Sequence, residues 1–157
     1  MTADDSDGLA GLRAEIDAVG RSALRRVDLG VRAAVIAGAT MVLLLALTLP
    51  WVGGASGWDV LWGTANPVDR VGLLPRLFGG VALGLGVSLS MLALLTRRWG
   101  LVWASALGCT YGVLDGVWAI WSRQTVPGPG PGLGLVLAVL AMGVLAVQWL
   151  RLAFSRQ

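Results

Sequence analysis

The sequence has no histidine, no lysine and one cysteine, Cys109, and only 13% of its 157 residues are charged. These absences exclude an intrachain disulfide, a zinc cluster, a haem attachment site and any catalytic set that depends on histidine. We therefore predict no cofactor and no metal. Cys109 lies within an apolar run, and we interpret it as a small packing residue.

The residues that are present are mostly apolar: 56% are hydrophobic, and 23 are glycines. This composition is typical of a helical membrane protein. Four apolar runs, residues 33–52, 77–96, 99–121 and 132–154, are long enough for a hydrocarbon core, which needs about 20 residues. We therefore predict an all-α fold, an integral membrane four-helix bundle over residues 33–154.

Residues 1–32 have a pattern of their own, with apolar residues at spacings of three and four. This predicts a cytoplasmic amphipathic arm whose basic half, residues 18–32, lies against anionic headgroups. Pairing of two such arms is an alternative. The arm holds six acids and is too long for a signal peptide. Nine arginines fall on the side of the N-terminus and three on the other, which predicts a multi-pass plasma-membrane protein with both termini cytoplasmic.

Asp115 is the one acid within the four runs. A charge at the centre of a spanning helix costs about 2.5–3.5 kcal/mol, so the carboxyl group needs a compensating environment. Tyr111 precedes it by one helical turn, and together they form a candidate intramembrane polar site. We interpret Asp115 as a protonated hydrogen-bond donor in a helix interface. An anchor for a partner's helix and a proton or ion site are the alternatives.

Small residues recur every fourth position in the second and third runs. Such rows let helix backbones approach closely. The predicted packing residues are Gly80, Gly84 and Ser88 in the second run, and Gly108, Gly112 and Gly116 in the third. If the two rows pack together, Asp115 faces the region of Gly84.

The connection after the first run contains Leu49–Gly63, which reads LPWVGGASGWDVLWG. It predicts a partly ordered outer loop whose contact residues are Trp58, Asp59 and Trp62. The stretch resembles small actinobacterial four-span membrane proteins of unknown function. That resemblance implies a plasma-membrane location and supplies no catalytic residues.

These patterns predict a non-enzymatic accessory or scaffold subunit that binds another envelope protein, or itself, and membrane lipid, but no nucleic acid. The alternative is a small transporter-like or lipid-handling protein that uses Asp115. A weaker alternative is an enzyme of envelope lipids, in which Asp59 and Asp69 act with Arg70 and Arg76. A membrane sensor has no motif to support it.

Overall fold

The computed structural model of the protein describes residues 30–125 and 127–155. The predicted amphipathic arm, residues 1–32, therefore lies outside the described residues except for its last three. All the tertiary contacts below are within the compact unit Val35–Gln157.

Four long helices and a small capping region make up the described fold. The long helices are α1 (Gly30–Thr48), α3 (Leu73–Thr96), α4 (Trp99–Thr125) and α5 (Leu133–Phe154). The capping region between α1 and α3 contains β1 (Pro50–Val52), β2 (Ala55–Ser56), α2 (Gly57–Trp62) and a 3-10 turn (Pro67–Asp69). The two strands pair antiparallel.

Three of these helices, α1, α3 and α5, are long and apolar enough to cross a membrane by length and composition. The helix α4, which carries Asp115 and Arg123, is not among them, although the sequence predicted four spans.

The helix bounds differ from the predicted runs where local chemistry intervenes. The first run was predicted to continue to Val52, but α1 ends at Thr48. Proline disfavours the helical conformation in the residue before it, so Leu49 leaves the helix and Pro50 begins β1. At the other end of the bundle, Arg97 takes a left-handed conformation, with φ of 51°, and ends α3 before a tight turn into α4.

The face that α3 turns inward carries Phe78, Ala82, Gly86 and Ser90, all buried. A four-residue repeat drifts around an α-helix of 3.6 residues per turn. Residues Ala82–Leu89, however, form a π-helical segment, whose wider turn keeps a four-residue repeat closer to one face.

The predicted packing row of α3 is on the opposite face. Gly80, Gly84 and Ser88 are exposed, and a Cβ atom added at Gly80 or Gly84 would meet nothing within 4 Å. Positions two residues apart are about 200° apart around an α-helix, so this row points away from the buried one. The expectation that Gly80, Gly84 and Ser88 pack against α4 is therefore corrected.

A matched pair of glycines tests this assignment. A Cβ atom at Gly86 would lie 2.7 Å from Leu43 Cδ2 and 2.9 Å from Met142 Cε. We expect Gly86→Leu to destabilise the fold by about 1–3 kcal/mol through overpacking, while Gly84→Leu leaves it within about 0.5 kcal/mol of the parent. Thermal unfolding measures both. Equal melting temperatures would contradict the assignment.

Candidate functional site

The capping region is organised around the buried indole of Trp51. Its Nε1 donates to the carbonyl oxygen of Ala46 at 2.8 Å, and its ring centroid lies 5.4 Å from that of Phe78. A Cβ atom at Gly57 would lie 2.7 Å from the indole, and one at Gly134 would lie 2.8 Å from it. Glycine at both positions therefore makes room for Trp51 among α1, α2, α3 and α5.

The backbone of the same strand holds the start of α5. The amide of Gly132 donates to the carbonyl oxygen of Trp51 at 2.7 Å, and Val52 forms a bridge with Pro131. The proline-glycine loop before α5 is thus joined to β1 as well as to α4.

Asp59 caps the helix α2 and is one of the predicted contact residues of the outer loop. Its Oδ2 accepts from the Ser56 hydroxyl at 2.6 Å and from the Ser56 amide at 3.0 Å, while the Ser56 hydroxyl accepts from the Asp59 amide. This is a capping box. The hydrogen bond from the Ser56 hydroxyl has the largest effect and lowers the pKa of the Asp59 carboxyl group, and the bonds from the Ser56 amide and from Thr64 lower it further. Desolvation raises this pKa but does not cancel the lowering.

Because the pKa of Asp59 is lowered in the folded state, the stability of the capping region decreases at acidic pH. The folded pKa is below the unfolded value of about 3.9, so the stabilisation is present above that value and is lost as pH falls through the folded pKa. We expect the melting temperature to fall less on acidification from about pH 6 to about pH 3 in Asp59→Asn than in the parent. The same acid dependence in both proteins would show that Asp59 does not titrate as described.

Arg123, near the end of α4, joins two loops although it is only 4% exposed. Its Nη1 donates to the carbonyl oxygen of Arg70 at 2.9 Å, and its Nη2 donates to that of Pro129 at 3.4 Å. Its Nε has no hydrogen-bond partner among the described residues. One buried guanidinium group thus fixes the loops that precede α3 and α5.

Replacing this side chain should loosen both loops. We expect Arg123→Met to cost about 1.5–3 kcal/mol, because two carbonyl oxygens lose a charged donor. The exposed neighbour Gln124 provides the control, and Gln124→Met should stay within about 0.5 kcal/mol of the parent. Chemical unfolding compares the two variants, and an Arg123→Met protein as stable as the parent would show that Arg123 does not fix the two loops.

Asp115 and Tyr111 do not form a joint site. Asp115 is 4% exposed, whereas Tyr111 is 55% exposed and faces outward from α4. Asp115 Oδ2 is buried and has no hydrogen-bond partner among the described residues. The neighbours expected on α3 make no hydrogen bond with Asp115 either. Gly84 is exposed, and the Ser88 hydroxyl donates to the carbonyl oxygen of Leu83.

The glycine row of α4 faces side chains of both neighbouring helices. Added Cβ atoms would lie 3.3 Å from Leu85 at Gly108, 2.9 Å from Met142 at Gly112, and 2.6 Å from Val139 at Gly116. Side chains, rather than a second glycine row, therefore fill the space above this row.

A buried polar cluster beside the π-helical segment was not predicted from the sequence. Trp149 Nε1 donates to the Ser90 hydroxyl at 2.9 Å, and that hydroxyl lies 4.0 Å from Cys109 Sγ. The Cys109 thiol donates to the carbonyl oxygen of Leu85, with 3.8 Å between sulfur and oxygen. The Ser105 hydroxyl donates to the carbonyl oxygen of Leu89 at 3.4 Å. The sequence offered one signal for this cluster, which was the presence of the polar residues Ser90 and Ser105 within apolar runs. Cys109 is a packing residue here that also makes polar contacts.

The two tryptophans of the predicted outer-loop contact differ in exposure. Trp58 is half-buried and packs against the core, while Trp62 is 69% exposed. Only Trp62 presents a free apolar surface. Within the described residues there is no group of three or more His, Cys, Asp or Glu side chains that could hold a metal ion.

The described chain is a helical domain with a capped end, and its family follows from comparison with known proteins. Residues 13–157 match the MiaB C-terminal domain, and the chain belongs to that family. It is 44% identical over 155 residues to a tRNA-2-methylthio-N(6)-dimethylallyladenosine synthase of Mycobacterium avium, a match that covers 97% of this chain. The chain spans 22% of the length of that relative. No solved structure matches the chain.

These matches correct several predictions. The resemblance to small four-span membrane proteins of unknown function was wrong, because the family is that of the MiaB C-terminal domain. The non-enzymatic scaffold and the transporter-like alternative were also wrong, because the relative is named as a synthase. The sequence misled because a chain spanning a fifth of its relative need not carry the residues that perform the relative's chemistry.

The predicted partners and location are overturned by the same finding. The relative's name refers to tRNA, which conflicts with the exclusion of nucleic acid and with partners limited to lipid and envelope proteins. The name describes an enzyme of tRNA and not a multi-pass protein of the plasma membrane. The arginine count that led to that location describes only how charges flank apolar runs.

Proposed function

We propose that this chain serves a tRNA-modifying enzyme of the 2-methylthio-N(6)-dimethylallyladenosine synthase class as its C-terminal domain. The observation that supports this most directly is the alignment of 97% of the chain, at 44% identity, with part of such a synthase.

We further propose that the exterior of the four-helix bundle is covered by lipid. Large apolar side chains lie on its surface, including Leu45, Leu107 and Leu140, each at least 60% exposed. The polar side chains of Thr40, Ser90 and Ser105 are buried in the interior, together with large apolar ones such as Leu43 and Leu145. Large exposed apolar surfaces are unfavourable in water, whereas a lipid covering satisfies them.

The backbone and the two ends of the bundle are compatible with the proposed lipid covering. The four long helices satisfy their own backbone hydrogen bonds, as lipid requires. Arg97 and Arg98 lie at one end of the bundle, and the capping region with Arg70, Arg76 and Arg123 lies at the other. Charged side chains therefore flank the apolar middle, as they do in helices that cross lipid.

Deletion of the segment that encodes residues 35–157 tests the enzymatic part. We expect the 2-methylthio-N(6)-dimethylallyladenosine content of total tRNA to fall and the nucleoside without the methylthio group to accumulate. Mass spectrometry of digested tRNA measures both nucleosides. Restoring the segment with Gly84→Ala, a change at an open position, should restore the modification. An unchanged methylthio content after deletion would contradict the proposal.

A surface substitution tests the lipid covering. In lipid, Leu140→Arg near the middle of α5 should cost about 2.5–3.5 kcal/mol, whereas in water an exposed site tolerates such a change within about 0.5 kcal/mol. We expect little folded protein to be extracted with mild detergent for Leu140→Arg and a normal yield for Leu140→Met. Equal yields would indicate that water covers this face.

A further inference from the structure

The capping region contains a cavity that the proposed function does not use. Its volume is about 300 Å³, and it lies between α2, the 3-10 turn and the start of α3. Val60 and Val71 form apolar walls, while Gly63, Asn66, Arg70 and Arg76 provide polar surface. Two arginines thus line one small cavity.

Arg76 is held with its guanidinium group flat against the backbone of Gly63. A Cβ atom added at Gly63 would lie 3.3 Å from Cζ, Nη1 and Nη2 alike, which is a face-on contact. Gly63 also has φ of 73°, the left-handed conformation that ends α2. Glycine therefore both ends the helix and provides the surface on which the guanidinium group rests.

Arg70 extends from a backbone that is fixed by the neighbouring helix. Its φ of 44° is left-handed, which is uncommon for a residue with a side chain, and its carbonyl oxygen accepts the hydrogen bond from Arg123. The buried Arg123 thus sets the place from which the side chain of Arg70 enters the cavity.

The acids nearby are engaged elsewhere. The carboxylate of Asp59 accepts from Ser56 and Thr64, and the side chain of Asp69 lies against Gly53. Between residues 30 and 155, leaving out Val126, neither Arg70 nor Arg76 donates a side-chain hydrogen bond to a protein acceptor. Two guanidinium groups with unused donors suit a planar or tetrahedral oxyanion.

We propose that this cavity binds one phosphate group, held between Arg70 and Arg76. The volume is at the lower end of that of small-molecule sites, so it admits a phosphate with a small substituent and not a polynucleotide, which would need a row of cations. A phospholipid headgroup and a free phosphate ester share this chemistry. Exposed Leu73 and Leu77 next to Arg76 would contact the acyl chains of the former.

Native mass spectrometry of the whole protein in detergent tests the site, with inorganic phosphate, glycerol 3-phosphate and a short-chain phosphatidylglycerol as probes. We expect one bound probe on the parent protein and at least about tenfold weaker binding to the double variant Arg70→Gln, Arg76→Gln. Arg98→Gln, an exposed arginine at the other end of the bundle, removes one charge and should bind like the parent.

The probes separate the two sources of phosphate. Binding of inorganic phosphate and glycerol 3-phosphate supports a free ester, and binding of phosphatidylglycerol alone supports a lipid headgroup. Arg76→Lys keeps the charge and guards against misfolding, and it should still weaken binding several-fold because an ammonium group lacks the planar fork. Unchanged binding in both the double variant and Arg76→Lys would overturn the proposal. So would an equal loss in Arg98→Gln, or no binding of any of the three probes to the parent protein.

Discussion

The capped end of the molecule depends on the burial of the Trp51 indole between the helices. A large indole enters between helices only where their backbones leave room, and Gly57 and Gly134 leave that room on two different elements. The indole Nε1 of Trp51 donates a hydrogen bond to the carbonyl oxygen of Ala46 in α1. The carbonyl oxygen of Trp51 accepts a hydrogen bond from the amide of Gly132, just before α5. The hairpin, the capping helix and the proline-glycine loop are therefore positioned by one residue.

Small residues also allow close packing of three helices deeper in the bundle. Close contact at Gly86, Gly112 and Gly116 brings α3, α4 and α5 together, and the π-helical segment keeps Gly86 and Ser90 on the contacting face. The hydroxyl and thiol groups of the cluster then reach backbone carbonyls of that segment. We propose that lipid covers the outside of this bundle, where Leu45, Leu107 and Leu140 are exposed.

The sequence predicted the four long apolar helices but not where the first one ends, because the first run was expected to continue to Val52. The end of α1 before Pro50 and the capping of α2 by Ser56 and Asp59 could have been predicted, since both follow from chemistry within a few residues. The inward face of α3 could not be predicted in this way, because Ala82, Gly86 and Ser90 recur at every fourth position just as Gly80, Gly84 and Ser88 do, and only packing against the neighbouring helices decides which row is buried. The role of Arg123 depends on two loops, one of which contains Arg70 and is 53 residues away in the sequence. The function was missed because the chain spans only 22% of its relative.

The central claim, that lipid covers the bundle, is tested most directly by labelling of single cysteines in native membranes. In a Cys109→Ala background, cysteines replace Leu45, Leu107 and Leu140 on the helices and Thr64 and Val68 in the capping region, all of them exposed. A water-soluble maleimide is then added after the membranes are opened. Labelling of the capping positions without the helix positions is the predicted result, and equal labelling of both sets would contradict the account.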